Sequence, residues 1–423
     1  MPLHRPVPPH DVARPTCHPH NVTRRGLIKS TAAAGAMAAA VGVLGACKGS
    51  DEGTTPPTVV DASSADYVID PSTNESNYSM VDLPLTEETS HDIALGNVLH
   101  PAGGDVWIPM TTAGSSATPM VKASAFAPSS GSVVEVVPEP QAKGASNVVI
   151  YDVRCSDSAY AWVELDLLTH DWTLYAAPFS DGVLTGGVTT LWSASSDYDP
   201  PKFSVAGGKV IWEIMPSVSG PKAKEHSFCY LWSTGDANAK AVIESPGRFA
   251  GEPAVSGGTV TLVPRVNATS GVYYGITAYL LSDDLSTQVD QLVLPQSVRP
   301  LNAVRIGESF AFSIEANYST GGLLGTMGTY IGCAGGPFVA LSREPAASVT
   351  GRDGTYVIKS NASYFVVNSR DRTYSILGAV NRCLGYGEYP ATQGESSRFV
   401  TYATVKDEDT GYPKHVTVRS FAL

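Results

Sequence analysis

Short runs of alternating apolar and polar residues, each opened by a small-residue turn, recur along most of the chain. AGGDVWIPM, SDSAYAWVEL, AGGKVIWEI, SGGTVTLV, IGESFAFSI, RDGTYVIKS and ESSRFVTYATV share this form. Alternation with a period of two puts the apolar side chains on one face of an extended strand, so each run predicts a half-buried β-strand. Their leading residues, Val106, Tyr160, Val210, Val260, Phe310, Tyr356 and Phe399, are 54, 50, 50, 50, 46 and 43 positions apart. A second pattern of strand, polar turn and strand follows in HSFCYLWSTGDANAKAVI, YGITAYLLSDDLSTQVDQLVL and SYFVVNSRDRTYSIL. The repeating unit is therefore a four-stranded antiparallel sheet. Such a sheet cannot bury both faces alone, and stacking around an axis solves that problem.

The expectation is an all-β chain forming a seven-bladed β-propeller of four-stranded antiparallel sheets over residues 92–423, with six or eight blades as the alternatives. Within it, the phrase Tyr230–Ile243 (YLWSTGDANAKAVI), an apolar strand, an Asp/Gly turn and a returning strand, resembles the repeats of TolB-type β-propellers. The resemblance extends over about residues 93–423 as a weak periodic pattern and implies fold more than function. The last unit ends after two clear strands, so closure needs a strand from the N-terminal side, for which Tyr78–Leu85 is the candidate. Trp107, Trp162 and Trp212 recur at equivalent places within the apolar alternation, which makes them core between blades rather than a sugar platform.

The first 46 residues follow a different logic. Thr23–Lys29 (TRRGLIK) resembles the twin-arginine export motif, with Arg24 and Arg25 as its pair. The apolar stretch from Thr31 to Ala46 is shorter than the ~20 residues a permanent membrane helix requires. Leu44–Cys47 (LGAC) resembles a bacterial lipobox, which implies a signal peptide over 1–46, acylation of Cys47 and an extracytoplasmic protein held at the membrane by lipid. Residues 47–91 are rich in Gly, Ser, Thr, Pro and acids near their start and read as a tether.

The 423 residues carry a formal net charge of −12. Removing residues 1–46 leaves 23 basic and 39 acidic side chains, a net of −16. Such a surface disfavours nucleic acid and favours cations and basic partners. HExxH, Walker, GxSxG and CxxC signatures are absent, and the histidines after the signal stand singly, so no catalytic residue emerges. Cys155, Cys229, Cys333 and Cys383 allow three disulfide pairings. Neighbouring units favour Cys155 with Cys229 and Cys333 with Cys383, four free buried thiols being the alternative.

One charged residue stands at or beside a proline at the start of five successive units: Asp199, Glu252, Arg299, Glu344 and Glu388. Proline forces an extended approach to an innermost strand, so a closed propeller gathers these side chains around its channel mouth. Such a ring suits a divalent cation or a basic peptide. The expected function is a monomeric, membrane-anchored binding or scaffolding module of the cell envelope, recognising another envelope protein, a peptide or a glycan. The alternative is an envelope enzyme, a lyase or hydrolase acting on glycans.

Overall fold

The computed structural model describes residues 65–113, 120–142, 147–268, 271–295, 298–314, 327–342, 346 and 348–423. Its strands pair into seven sheets. Six are built around one contiguous stretch each: residues 97–137, 148–194, 202–245, 254–293, 300–341 and 349–377. They are called the first to sixth sheets below. The closing sheet joins the two ends of the head, placing Thr86–Ile93 beside Pro413–Ala422, then Arg398–Lys406 and Tyr389–Pro390.

Alternation along single strands explains why each sheet packs on two neighbours. In Lys209–Ile214 of the third sheet, Val210 and Trp212 join Trp172, Ala161 and Val163 of the second sheet. Ile211, between them in sequence, faces the other way and packs with Val260 and Leu262 of the fourth. The same arrangement repeats at each junction. Phe310 and Phe312 meet Ile276 and Leu292, Ala311 meets Val349 and Ile358, and Val357 and Tyr364 meet Phe399 and Phe421. Val400 and Val416 of the closing sheet pack with Met110 and Phe126 of the first, which completes the circuit. This is a β-propeller.

Six of the seven strand-leading residues fall in the second strand of their sheets, whereas Val106 lies exposed before Ile108–Ala113. Trp162 and Trp212 are fully buried between sheets, as the alternation required.

Three expectations need correction. The closing strand is Thr86–Ile93, not Tyr78–Leu85. Its sequence, TEETSHDI, has little apolar signature because it forms the outermost strand, with only Ile93 buried. Tyr78 is instead buried with Val68 between the fifth and sixth sheets. The tether expected over 47–91 likewise does not extend that far, because the chain lies on the head from residue 65 onward. Asp66–Tyr67 adds in parallel to Val339–Leu341, and Ser79–Met80 adds in parallel to Thr373–Leu377. The N-terminal segment thus covers the outer edges of two sheets before completing a third.

The disulfide pairings also fail. Cys155, Cys229 and Cys383 are free, and Cys333 is disulfide-bonded but not to Cys383. Cys155 and Cys229 are fully buried, and burial pushes both thiols well above their ordinary range.

Two segments cross the channel where the innermost strands end. Gly394–Glu395 leaves the closing sheet to pair in parallel with Thr350 and Gly351, and the Glu395 amide donates to Ser256 Oγ of the fourth sheet at 2.9 Å. A Cβ at Gly394 would lie 2.8 Å from both Ser256 Cβ and Val255 O. At Gly103, whose amide donates to Cys155 O at 2.9 Å, a Cβ would lie 1.7 Å from Val205 O. Both crossings therefore require glycine, and they leave the opposite end, where the innermost strands begin, as the mouth.

Two shortened proteins test closure. One starting at Thr86 loses the buried Val68 and Tyr78, worth about 2–3 kcal/mol each, but keeps the ring. One starting at Ala94 strips the partner from Pro413–Ala422 and is expected to melt well below the first and to aggregate. Equal melting temperatures for the two would remove the closing role of Thr86–Ile93.

Candidate functional site: a charged network on the channel wall

Charged side chains from four consecutive sheets converge on the innermost strands. Val148–Cys155 of the second sheet is apolar apart from Tyr151, Asp152 and Arg154, and a register shift between Ile150 and Asp152 re-aims the strand there. Arg154 is buried and contacts Asp152 on its own strand. Its other terminal nitrogen donates to Glu252 Oε2 of the fourth sheet at 3.0 Å, spanning past the third. His100, following the innermost strand of the first sheet, places Nδ1 3.2 Å from Arg154 Nη1 and Nε2 3.1 Å from Thr111 Oγ1. Nδ1 also lies 3.2 Å from Asp152 Oδ1, so a ring protonated at Nδ1 donates to that carboxylate and accepts at Nε2 from the Thr111 hydroxyl. Phe203 of the third sheet lies below the Arg154 guanidinium, 5.5 Å from its ring centre.

Burial alone would raise the Asp152 carboxyl, but Arg154 and His100 together hold it below the usual carboxylate range. Burial likewise works against the charge on Arg154, and Asp152 and Glu252 more than offset it. This is a buried, multiply bonded ion pair, the type whose loss costs far more than an exposed pair.

Glu213 lies beside this network and behaves differently. It stands opposite Lys202 and Cys229 in the third sheet, on the side facing the fourth. It is 1% exposed, and neither carboxyl oxygen has a hydrogen-bond partner. Lys202 donates instead to Gly251 O at 2.9 Å. Arg248 is occupied by Asp199 and Pro216 O. Burial pushes the Glu213 carboxyl well above its ordinary 4.5, Glu252 adds to the rise, and Lys202 and Arg248 only partly oppose it. The innermost strands therefore hold one carboxyl, Asp152, pulled down by its neighbours, and beside them lies another, Glu213, pushed up by burial.

The five proline-linked residues divide among different places. Glu252 belongs to the network through Arg154, whereas Asp199 pairs with Arg248. Glu388 is fully buried, where it accepts from the Val380 amide at 3.0 Å and pairs with Arg419 at 2.8 Å. It therefore staples the loop before Tyr389 to Pro413–Ala422. Arg299 is exposed ahead of Pro300, and Glu344 lies outside the described residues. Among the described residues no group of three or more His, Cys, Asp or Glu side chains is placed to hold a metal.

Sequence reasoning missed Asp152, Arg154 and Glu213, although each left a signal. They are charges interrupting apolar strands, VVIYDVRC and KVIWEI, where a solvated turn does not explain them.

Several solved structures share the architecture. The β-propeller domain of the Trilobed protease from Pyrococcus furiosus superposes with a TM-score of 0.48 at 9% identity, covering 76% of this chain and 95% of that one. Polysaccharide lyase Uly1 gives 0.43 at 10% identity, covering 88% and 98%. An acylaminoacyl peptidase gives 0.45 at 9% identity, covering 76% of this chain and 51% of that one. No protein-family model and no curated protein matches the sequence.

Two variants probe the network. Arg154→Met leaves Asp152 and Glu252 without their shared cation and is expected to cost about 3–5 kcal/mol, read by chemical denaturation. A loss under 1 kcal/mol would mean that the pairing contributes little. Glu213→Gln should act in the opposite direction. A carboxyl raised on folding contributes its stability below its unfolded value near 4.5 and loses it as pH rises through the folded value. The glutamine variant should therefore match wild type near pH 4 and exceed it in stability at pH 7. A difference that does not change with pH would show that Glu213 is not the titrating group.

Proposed function

We propose that the seven sheets are seven blades of one propeller and that the protein is an extracytoplasmic binding module of the bacterial envelope, held to the membrane through acylated Cys47. In this reading the ligand is cationic and docks over the channel mouth. The observation that carries it is the mixed-charge cluster of His100, Asp152, Arg154 and Glu252, with the separate pair Arg248 and Asp199 nearby. A ligand cation competes there for carboxylates already positioned by the fold, and the acidic surface concentrates it nearby.

Glu213 favours a second reading, an envelope enzyme that cleaves glycans. A carboxyl pushed up by burial and by the neighbouring Glu252 has the asymmetry that a general acid and its partner require. The two readings separate on turnover, because an enzyme loses it in Glu213→Gln whereas a binder has none to lose.

The anchoring proposal is tested by fractionating cells. Cys47→Ala should release the head from the membrane, and Arg24→Lys with Arg25→Lys should leave precursor in the cytoplasm. Retention of the cysteine variant at the membrane overturns the lipid anchor. The docking proposal is tested by calorimetry with short lysine-rich peptides. Asp199→Asn with Glu252→Gln should weaken binding at least tenfold, and unchanged affinity moves the site away from the mouth.

A further inference from the structure

A polar cavity lies on the closing sheet. Its volume is about 550 Å³, within the range of small-molecule sites. One wall is residues 381–382 and the other is formed by the adjoining ends of Arg398–Lys406 and Pro413–Ala422. Backbone bonds fix the walls together, with the Lys406 amide donating to Arg382 O at 3.0 Å and the Leu384 amide to Thr404 O at 3.1 Å. The cavity is thus part of the sheet rather than an accident of side-chain packing.

Its lining runs against the composition of the chain. In a protein of net charge −12, Arg382, Lys406, Lys414 and His415 meet around one cavity with Glu408 as the only carboxylate in the lining. Glu408 restrains them weakly, since it lies 3.7 Å from Arg382 and its side chain is 79% exposed. Lys414 is held by Asp407 at 2.8 Å, and His415 lies 3.3 Å from Asp92. Lys406 has no ion-pair partner among the described residues. Tyr412, 75% exposed, lies in the turn between the lining residues Glu408 and Lys414, where its carbonyl accepts from the Asp407 amide at 2.8 Å.

We propose that this cavity binds an acidic oligosaccharide, with Arg382 and Lys406 pairing its carboxylates and Tyr412 stacking on a sugar ring. A guanidinium matches a carboxylate in a planar, two-bonded geometry that suits a uronate. An exposed tyrosine offers the flat face that the C–H side of a sugar ring covers, a contact a bare anion does not use. The site is independent of the mouth, which lies on the first to fourth sheets.

Calorimetry of the full-length protein with oligogalacturonate, a neutral glucan oligosaccharide of the same length and inorganic phosphate tests the assignment. Oligogalacturonate should bind, lose at least tenfold in affinity between 50 and 500 mM salt, and outbind both other probes by at least tenfold. Arg382→Gln with Lys406→Gln should weaken it at least tenfold, and the backbone bond between these residues is untouched by the change. Tyr412→Ala, at an exposed position that leaves the fold intact, should weaken oligogalacturonate at least threefold while leaving phosphate unaffected. Asp199→Asn with Glu252→Gln should leave oligogalacturonate affinity unchanged, so failure here and failure at the mouth are distinguishable. Equal binding of the neutral glucan, phosphate binding as tight as oligogalacturonate, or full affinity in the double glutamine variant each overturns the proposal.

Discussion

Each sheet of this protein is apolar on both faces, and a sheet of that kind is stable only between two others. Val210 and Ile211, adjacent in sequence, point into different junctions and make the requirement visible in a single strand. A linear stack would leave two apolar faces in water, whereas a ring leaves none. The pairing of Thr86–Ile93 with Pro413–Ala422 is therefore the contact on which the other junctions depend. It completes the sheet that separates the sixth from the first.

Ring closure also determines where charge can reside. The far end of the channel is filled by backbone crossing at Gly103 and Gly394, where no side chain fits. The wall nearer the mouth then has room for long polar side chains, and burial there gives opposite charges strong mutual attraction. Arg154 reaches across the third sheet to Glu252 because the innermost strands converge. Glu213 is one strand further out and lies beyond that convergence, so its carboxyl has neighbours but no partner.

The alternation and spacing of the strands made the repeat legible, because burial on alternating positions leaves a local trace in sequence. The closing strand left no such trace, since an outermost strand needs backbone partners rather than apolar side chains, and TEETSHDI supplies only the former. Among the described residues, Asp199, Glu252, Arg299 and Glu388 do precede innermost strands, but charge sign and loop position do not specify what a side chain meets. Thus Glu388 turned inward to Arg419 while Glu252 joined the network. Cysteine spacing was less informative still, because adjacent sheets present many positions too far apart or wrongly aimed for a bond.

The closing sheet unites an early strand of the head, Thr86–Ile93, with the late strand Pro413–Ala422. With roughly 320 residues separating them, and chain elongation at about 5–20 residues per second, Thr86–Ile93 waits on the order of 15–60 seconds for Pro413–Ala422 to emerge. During that interval every completed sheet is present, yet the terminal faces are bare and the circuit is open. A chain of this design cannot finish folding strand by strand from its N-terminal side, so whatever acts on the finished head must act after Pro413–Ala422 has emerged.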